Sequence, residues 1–130
     1  MQPWNMPMKA LKHAVGSELE EADGTPGMVR AQAFSGDGIW AGTVRVAPGT
    51  ASGWHHHGDY ETYAEIVEGL ARFEFGPGGD GAVDGGPGDF VRIPAHTVHR
   101  ETNPGSTEST VVLFRVGSGA PVFNVDGPRS

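Results

Sequence analysis

The sequence predicts an all-β fold, a barrel or sandwich of short antiparallel strands, and three observations point to it. Six short apolar runs occupy 28–34, 39–47, 61–69, 70–75, 89–94 and 109–116. The 21 glycines and 10 prolines cluster between those runs, in segments such as FSGDG, GPGGDG and NPGST that suit tight turns. Several runs alternate apolar and polar residues, the period of a half-buried strand.

The elements follow in order along the chain. Ser17-Glu18-Leu19-Glu20 has the pattern of a capping box and predicts a helical turn or two. In 39–47, Trp40, Gly42, Val44 and Val46 share one strand face, expected to be the inner one. In 61–69 the corresponding face carries Thr62, Ala64 and Ile66. In 70–75, Ala71, Phe73 and Phe75 lie opposite Arg72 and Glu74, and Phe73 and Phe75 are expected inside. In 109–116, Val112 and Phe114 are placed inward, with Val111, Leu113 and Arg115 on the other face. The whole of 1–130 reads as one domain with its core over about 38–116. The flanks 1–27 and 117–130 are the least determined parts.

Composition excludes several function classes. A net charge of −7, with no clustered basic face, suits neither phosphate backbones nor anionic lipid, so neither nucleic acid nor a membrane is expected as partner. No apolar run approaches the ~18 residues of a membrane helix, and the first residues lack a signal-peptide core. The expectation is a soluble, cytoplasmic protein. With no cysteine, disulfide and thiolate chemistry are unavailable.

Five of the six histidines fall in two places, His55, His56 and His57 in one and His96 and His99 in the other. On an extended strand His55 and His57 point the same way, roughly 6.6 Å apart along the chain, with His56 facing outward. His99 follows the run 89–94 across a short loop and is the natural third donor for one metal ion. Protons compete for such a site, and reference imidazole titrates at ~6.5, so metal affinity is expected to fall below about pH 6.

The spacing around these histidines resembles the two sequence motifs of the cupin family. Gly49, five residues, His55-His56-His57, then Glu61 and Gly69 follow the first motif. Gly88, five residues, Pro94-Ala95-His96, then His99 and Asn103 follow the second. The resemblance implies a cupin double-stranded β-helix, a jelly-roll-like antiparallel barrel. It also implies one divalent transition metal per chain near an open end, held by His55, His57 and His99, and a homodimer.

Two positions depart from the motifs. Seven residues rather than six separate Glu61 from Gly69, so Thr62 falls in the usual carboxylate slot. Either a bulge turns Glu61 inward, or the site has three histidines and Glu61 sits at the rim. The second is preferred, with Glu61 as candidate catalytic proton acceptor; the other carboxylates of the ligand loops are Asp59 and Glu101. His96 stands where the motif has glycine, a turn position, and is expected at the surface. Arg92 and Arg100 flank the second motif and are expected to be solvated or ion-paired, and Tyr60 and Tyr63 bracket Glu61.

Imidazole suits zinc, copper, iron and nickel alike, and manganese is kept with them, so the sequence does not name the metal. Three function classes remain. The first expectation is a metal-dependent oxidoreductase, of oxygenase type, acting on a small oxygenated or aromatic molecule. The others are a metal-dependent isomerase or lyase and a non-catalytic small-molecule-binding module.

Overall fold

The computed structural model describes residues 11–128 except Gly24 and Asp37. All six apolar runs form strands: β2 (Met28–Gly36), β3 (Ile39–Val46), β5 (Glu61–Glu68), β6 (Ala71–Phe75), β8 (Phe90–Ile93) and β10 (Ser109–Val116). Shorter strands complete the set, namely β1 (Glu20–Asp23), β4 (His55–His56), β7 (Gly81–Gly85), β9 (His99–Thr102) and β11 (Phe123–Asn124). They make two antiparallel sheets, a six-stranded one in the order β1-β2-β3-β10-β5-β8 and a five-stranded one in the order β11-β4-β9-β6-β7. The expected capping box yields one 3-10 turn, Gly16–Glu18, because Glu20 is already paired into a strand. No helix among the described residues is long and apolar enough to cross a membrane.

The core lies between the sheets and is graded along the strands. Val44, Val111 and Ile66 form one cross-strand row, and Gly42, Leu113 and Ala64 form the next. Phe73, Ala71, Met28 and Ile93 pack against them. The third row is Trp40, Arg115 and Thr62, so the interior turns polar toward one end.

The inward face of β10 differs from the expectation. Val111, Leu113 and Arg115 are buried, while Val112 is half-buried and Phe114 faces solvent. Both faces of this strand are rich in apolar residues, so alternation sets no phase, and pairing with Val44 and Ile66 decides it. Phe75 also differs: Phe73 is buried, but Phe75 lies at the rim.

Turns close the barrel with the residues their backbone demands. Gly69 has φ +75°, and a Cβ there would lie 2.7 Å from the Glu108 carbonyl oxygen, so glycine is required. His96 also adopts a left-handed conformation, φ +61°, which accounts for the glycine that the motif carries at this position. Asn103 is buried and structural: its amide donates to the carbonyls of Val46 and Thr107, and its side-chain oxygen accepts from Gly105 N–H.

Candidate metal centre

The five-stranded sheet delivers four donors to one point. His55 lies on β4, His57 directly follows it, and His99 pairs with His55 across β9. All three are at most 4% exposed. Their ring centroids are 4.4–5.1 Å apart, which brings the sequence-expected triad together. Glu101, two residues beyond His99 on β9, shares its inward face. Its Oε1 lies 3.4 Å from His99 Nε2 and 4.0 Å from His55 Nε2. The four potential ligand atoms all lie within 4.8 Å of one another.

Backbone carbonyls fix which ring nitrogen faces the centre. His55 Nδ1–H donates to Gly53 O, His57 Nδ1–H to Pro121 O and His99 Nδ1–H to Thr97 O, each at 2.8 Å. A carbonyl only accepts, so each Nδ1 carries a proton, and in the neutral ring that leaves the lone pair on Nε2. The three Nε2 atoms are buried and have no hydrogen-bond partner. Three orphaned, convergent lone pairs beside a carboxylate fit a divalent ion, whose donors at about 2.0–2.2 Å would lie about 3–4 Å apart.

The electrostatics agree. Burial lowers the pKa of His55, and burial reinforced by the Arg115 charge lowers that of His57 to about 3, so both rings are neutral near pH 7. Burial alone would raise Glu101, but the contact with His99 holds it well below the usual carboxylate range. The cluster thus offers two rings held neutral by burial, the third imidazole of His99 and one anion.

The remaining expected residues lie outside the cluster. A bulge does occur in β5, where Ile66 and Glu68 pair with successive residues of β10, but it lies near Gly69. Thr62 takes the inward position and its buried hydroxyl has no partner. Glu61 instead accepts from Arg92 and from the Ala95 N–H, which ties it to the loop of the second motif and lowers its pKa. His56 is only half-buried and stacks on Phe123, outside the donor group. His96 contacts Asp59 Oδ1 at 2.8 Å on the surface. Arg100 pairs with Glu74 and lies over Trp54, and Tyr60 donates to Gly119 O. Glu101 was legible through the rule that joined His55 to His57, since His99 and Glu101 are also two apart on a strand.

Two cavities reach the histidine donors. One of about 430 Å³ opens at His55 and is lined by Arg30, Trp40 and Arg115. Another of about 280 Å³ opens at His99 between Phe73, Phe75, Val91 and Ile93. The C-terminal segment crosses this end. Phe123–Asn124 pairs with His55–His56, and Val125 N–H donates to Trp54 O.

Comparison with known proteins accords with this architecture. No curated protein matches the chain. Among solved structures, the polyketide cyclase RemF from Streptomyces resistomycificus superposes with a TM-score of 0.75 at 17% identity, covering 89% of this chain and 86% of that one. KdgF from Halomonas sp. gives 0.69 at 20% identity, covering 82% and 96%. A sugar phosphate isomerase of the cupin superfamily from Silicibacter pomeroyi gives 0.71 at 16% identity, covering 92% and 96%. At these identities the likeness concerns the fold. The family profile described as "Cupin domain" matches residues 42–116, more than half of the chain and the span of both motifs, and the chain belongs to the cupin family.

Proposed function

We propose that this cupin is a metal-dependent enzyme that binds a small oxygenated molecule at the centre formed by His55, His57, His99 and Glu101. The observation that carries this reading is the set of three buried Nε2 lone pairs and one carboxylate beside open cavities. When bound, a divalent ion would polarise a substrate oxygen and, if redox-active, exchange electrons. His55, His57, His99 and Glu101 would hold such an ion on one side and leave its cavity side to a substrate oxygen or a small co-reactant. The first reading is an oxidoreductase that uses dioxygen. The apolar walls at His99 favour it by excluding water from a reactive site.

A second reading, metal-assisted isomerase or lyase chemistry, is favoured by the names of the fold neighbours, an isomerase and a cyclase. In both, the chain's own residues orient the substrate and keep the imidazoles neutral. Both oxygens of Glu61 are engaged, so we assign it to holding the loop around Ala95 in preference to the proton-accepting role expected of it. We also read the protein as a homodimer. Its support is the exposed apolar patch of Ile39, Tyr63, Phe114 and Val116 on the outer face of the six-stranded sheet. Of the two apolar flanks outside the motifs, 6–11 and 121–125, the second folds back on its own barrel, and residues 6–10 lie outside the described residues. A monomeric mass by light scattering at micromolar concentration would contradict the dimer.

The test loads metal-free protein with iron(II), manganese(II) or zinc(II) and offers diketones, phenols and sugar acids. Oxygen uptake is followed electrochemically, and proton exchange next to carbonyls by NMR in deuterium oxide. Oxygen uptake with a redox metal alone supports the first reading. Exchange with zinc and no uptake supports the second. Ligand binding with neither would place the protein among non-catalytic binding modules.

A further inference from the structure

Across the interior from the donor cluster, the six-stranded sheet presents two guanidinium groups. Arg115 on β10 is only 5% exposed, and Arg30 on β2 is half-buried, opposite Val44 on the inner face. The Nε atoms of both are buried and have no hydrogen-bond partner. Both side chains line the 430 Å³ cavity together with Glu20, Gln32, Trp40, His55 and Val122, and among the described residues neither is ion-paired with Glu20.

The placement of Arg115 is built rather than incidental. Its Cζ lies 4.9 Å from the Trp40 ring centroid, and Trp40 Nε1 donates to Gln32 Oε1 at 3.0 Å, which fixes the ring. Gly42 makes room for that ring, since a Cβ there would lie 2.7 Å from Trp40 Cη2.

Four other described arginines each come with a carboxylate. Arg45 pairs with Glu21, Arg72 with Asp84, Arg92 with Glu61 and Arg100 with Glu74. Arg115 has no such ion pair among the described residues. The carboxylate whose charge reaches it, Glu101, is committed to His99 and His55. A buried guanidinium without an anion is costly, and its planar fork matches an anionic oxygen pair.

We infer that Arg115 and Arg30 form a subsite for the anionic group, a carboxylate or a phosphate, of a small oxygenated substrate whose other oxygens face the histidine cluster. The inference rests on reading that cluster as the reaction centre, but the subsite belongs to the opposite sheet and is testable without metal. Because one cavity is lined by the guanidiniums and by His55, an anionic group held at the arginines leaves the reacting oxygen to face the histidines. The class is a compact oxygenated acid or phosphate ester. Neutral sugars and phenols do not satisfy the two arginines.

Calorimetry with pyruvate, pyruvamide and inorganic phosphate tests the subsite. Wild-type protein should bind pyruvate at least tenfold more tightly than its neutral amide. Phosphate binding more tightly than pyruvate would support the site and assign it to phosphate esters. Arg30→Gln and Arg115→Gln should each lose at least tenfold in anion affinity; if Arg115→Gln does not fold, Arg30→Gln decides. Metal-free wild-type protein, stripped with a chelator, should keep the preference for pyruvate over pyruvamide. Loss of metal binding in wild type with that preference intact would sink the reaction-centre reading alone. Equal affinity for pyruvate and pyruvamide, or unchanged anion affinity in the arginine variants, would overturn the subsite.

Discussion

Glu101 Oε1 lies 3.4 Å from His99 Nε2, and both side chains leave the same face of β9. This places a carboxylate among the three imidazoles from the strand that supplies the third histidine. Replacing Glu101 by alanine is therefore expected to weaken metal binding by at least tenfold in a chelator-competition titration. Glu61→Gln should leave metal affinity within about twofold and lower only the melting temperature, because Glu61 is tied to Arg92 and the Ala95 N–H.

The histidine triplet separates by face. His55 and His57 turn inward, whereas His56 stacks on Phe123 with ring centroids 4.9 Å apart. His57→Ala is expected to abolish stoichiometric metal content by elemental analysis, and His56→Ala to preserve it. Equal losses would mean that the strand register differs from the one described.

How far the sequence disclosed this site depends on the kind of signal. The i, i+2 rule placed His55 and His57 together, and motif spacing supplied His99. The same rule applied to His99 and Glu101 would have found the carboxylate, but the first motif directs attention to position 61 or 62 instead. The inner face of β10 was not legible because both of its faces carry large apolar side chains. Arg115 then made the buried face look like the solvent one, and only its partners Trp40 and Thr62 reveal an arginine turned inward. Strands of two to four residues such as β4, β9 and β11 are too short to show a period.

Acid should destabilise the metal-free protein in a defined direction. The pKa of His57 in the folded chain is lowered to about 3 from 6.5, and that of His55 is also lowered. Below about pH 6.5 the unfolded chain takes up protons that the folded one refuses, so stability falls as pH drops. For His57 the slope is about 1.4 kcal/mol per pH unit. Glu101, with a pKa held below 4.5, adds a loss of the same sign at lower pH. Denaturant melts of metal-free protein between pH 7.5 and pH 5 should show this decline, and a flat profile would contradict the buried neutral imidazoles. Burial also moves proton competition for the metal below the pH expected from a reference imidazole.

The C-terminal segment orients one ligand. Pro121 O accepts from His57 Nδ1, and Tyr60 donates to Gly119 O. Removing residues 119–130 releases the ring that these contacts hold. Metal affinity is expected to fall about 10–100-fold while far-UV circular dichroism keeps its β signature. Unchanged affinity in the truncated chain would show that the Pro121 contact does not set the tautomer.

The most direct measurement is an anomalous difference map at the metal edge from crystals grown with iron(II), manganese(II) or zinc(II). The expected result is one peak per chain, bonded to Nε2 of His55, His57 and His99 and to a carboxylate oxygen of Glu101. A principal peak away from these atoms, ligation through Nδ1, or no peak at saturating metal would contradict the account.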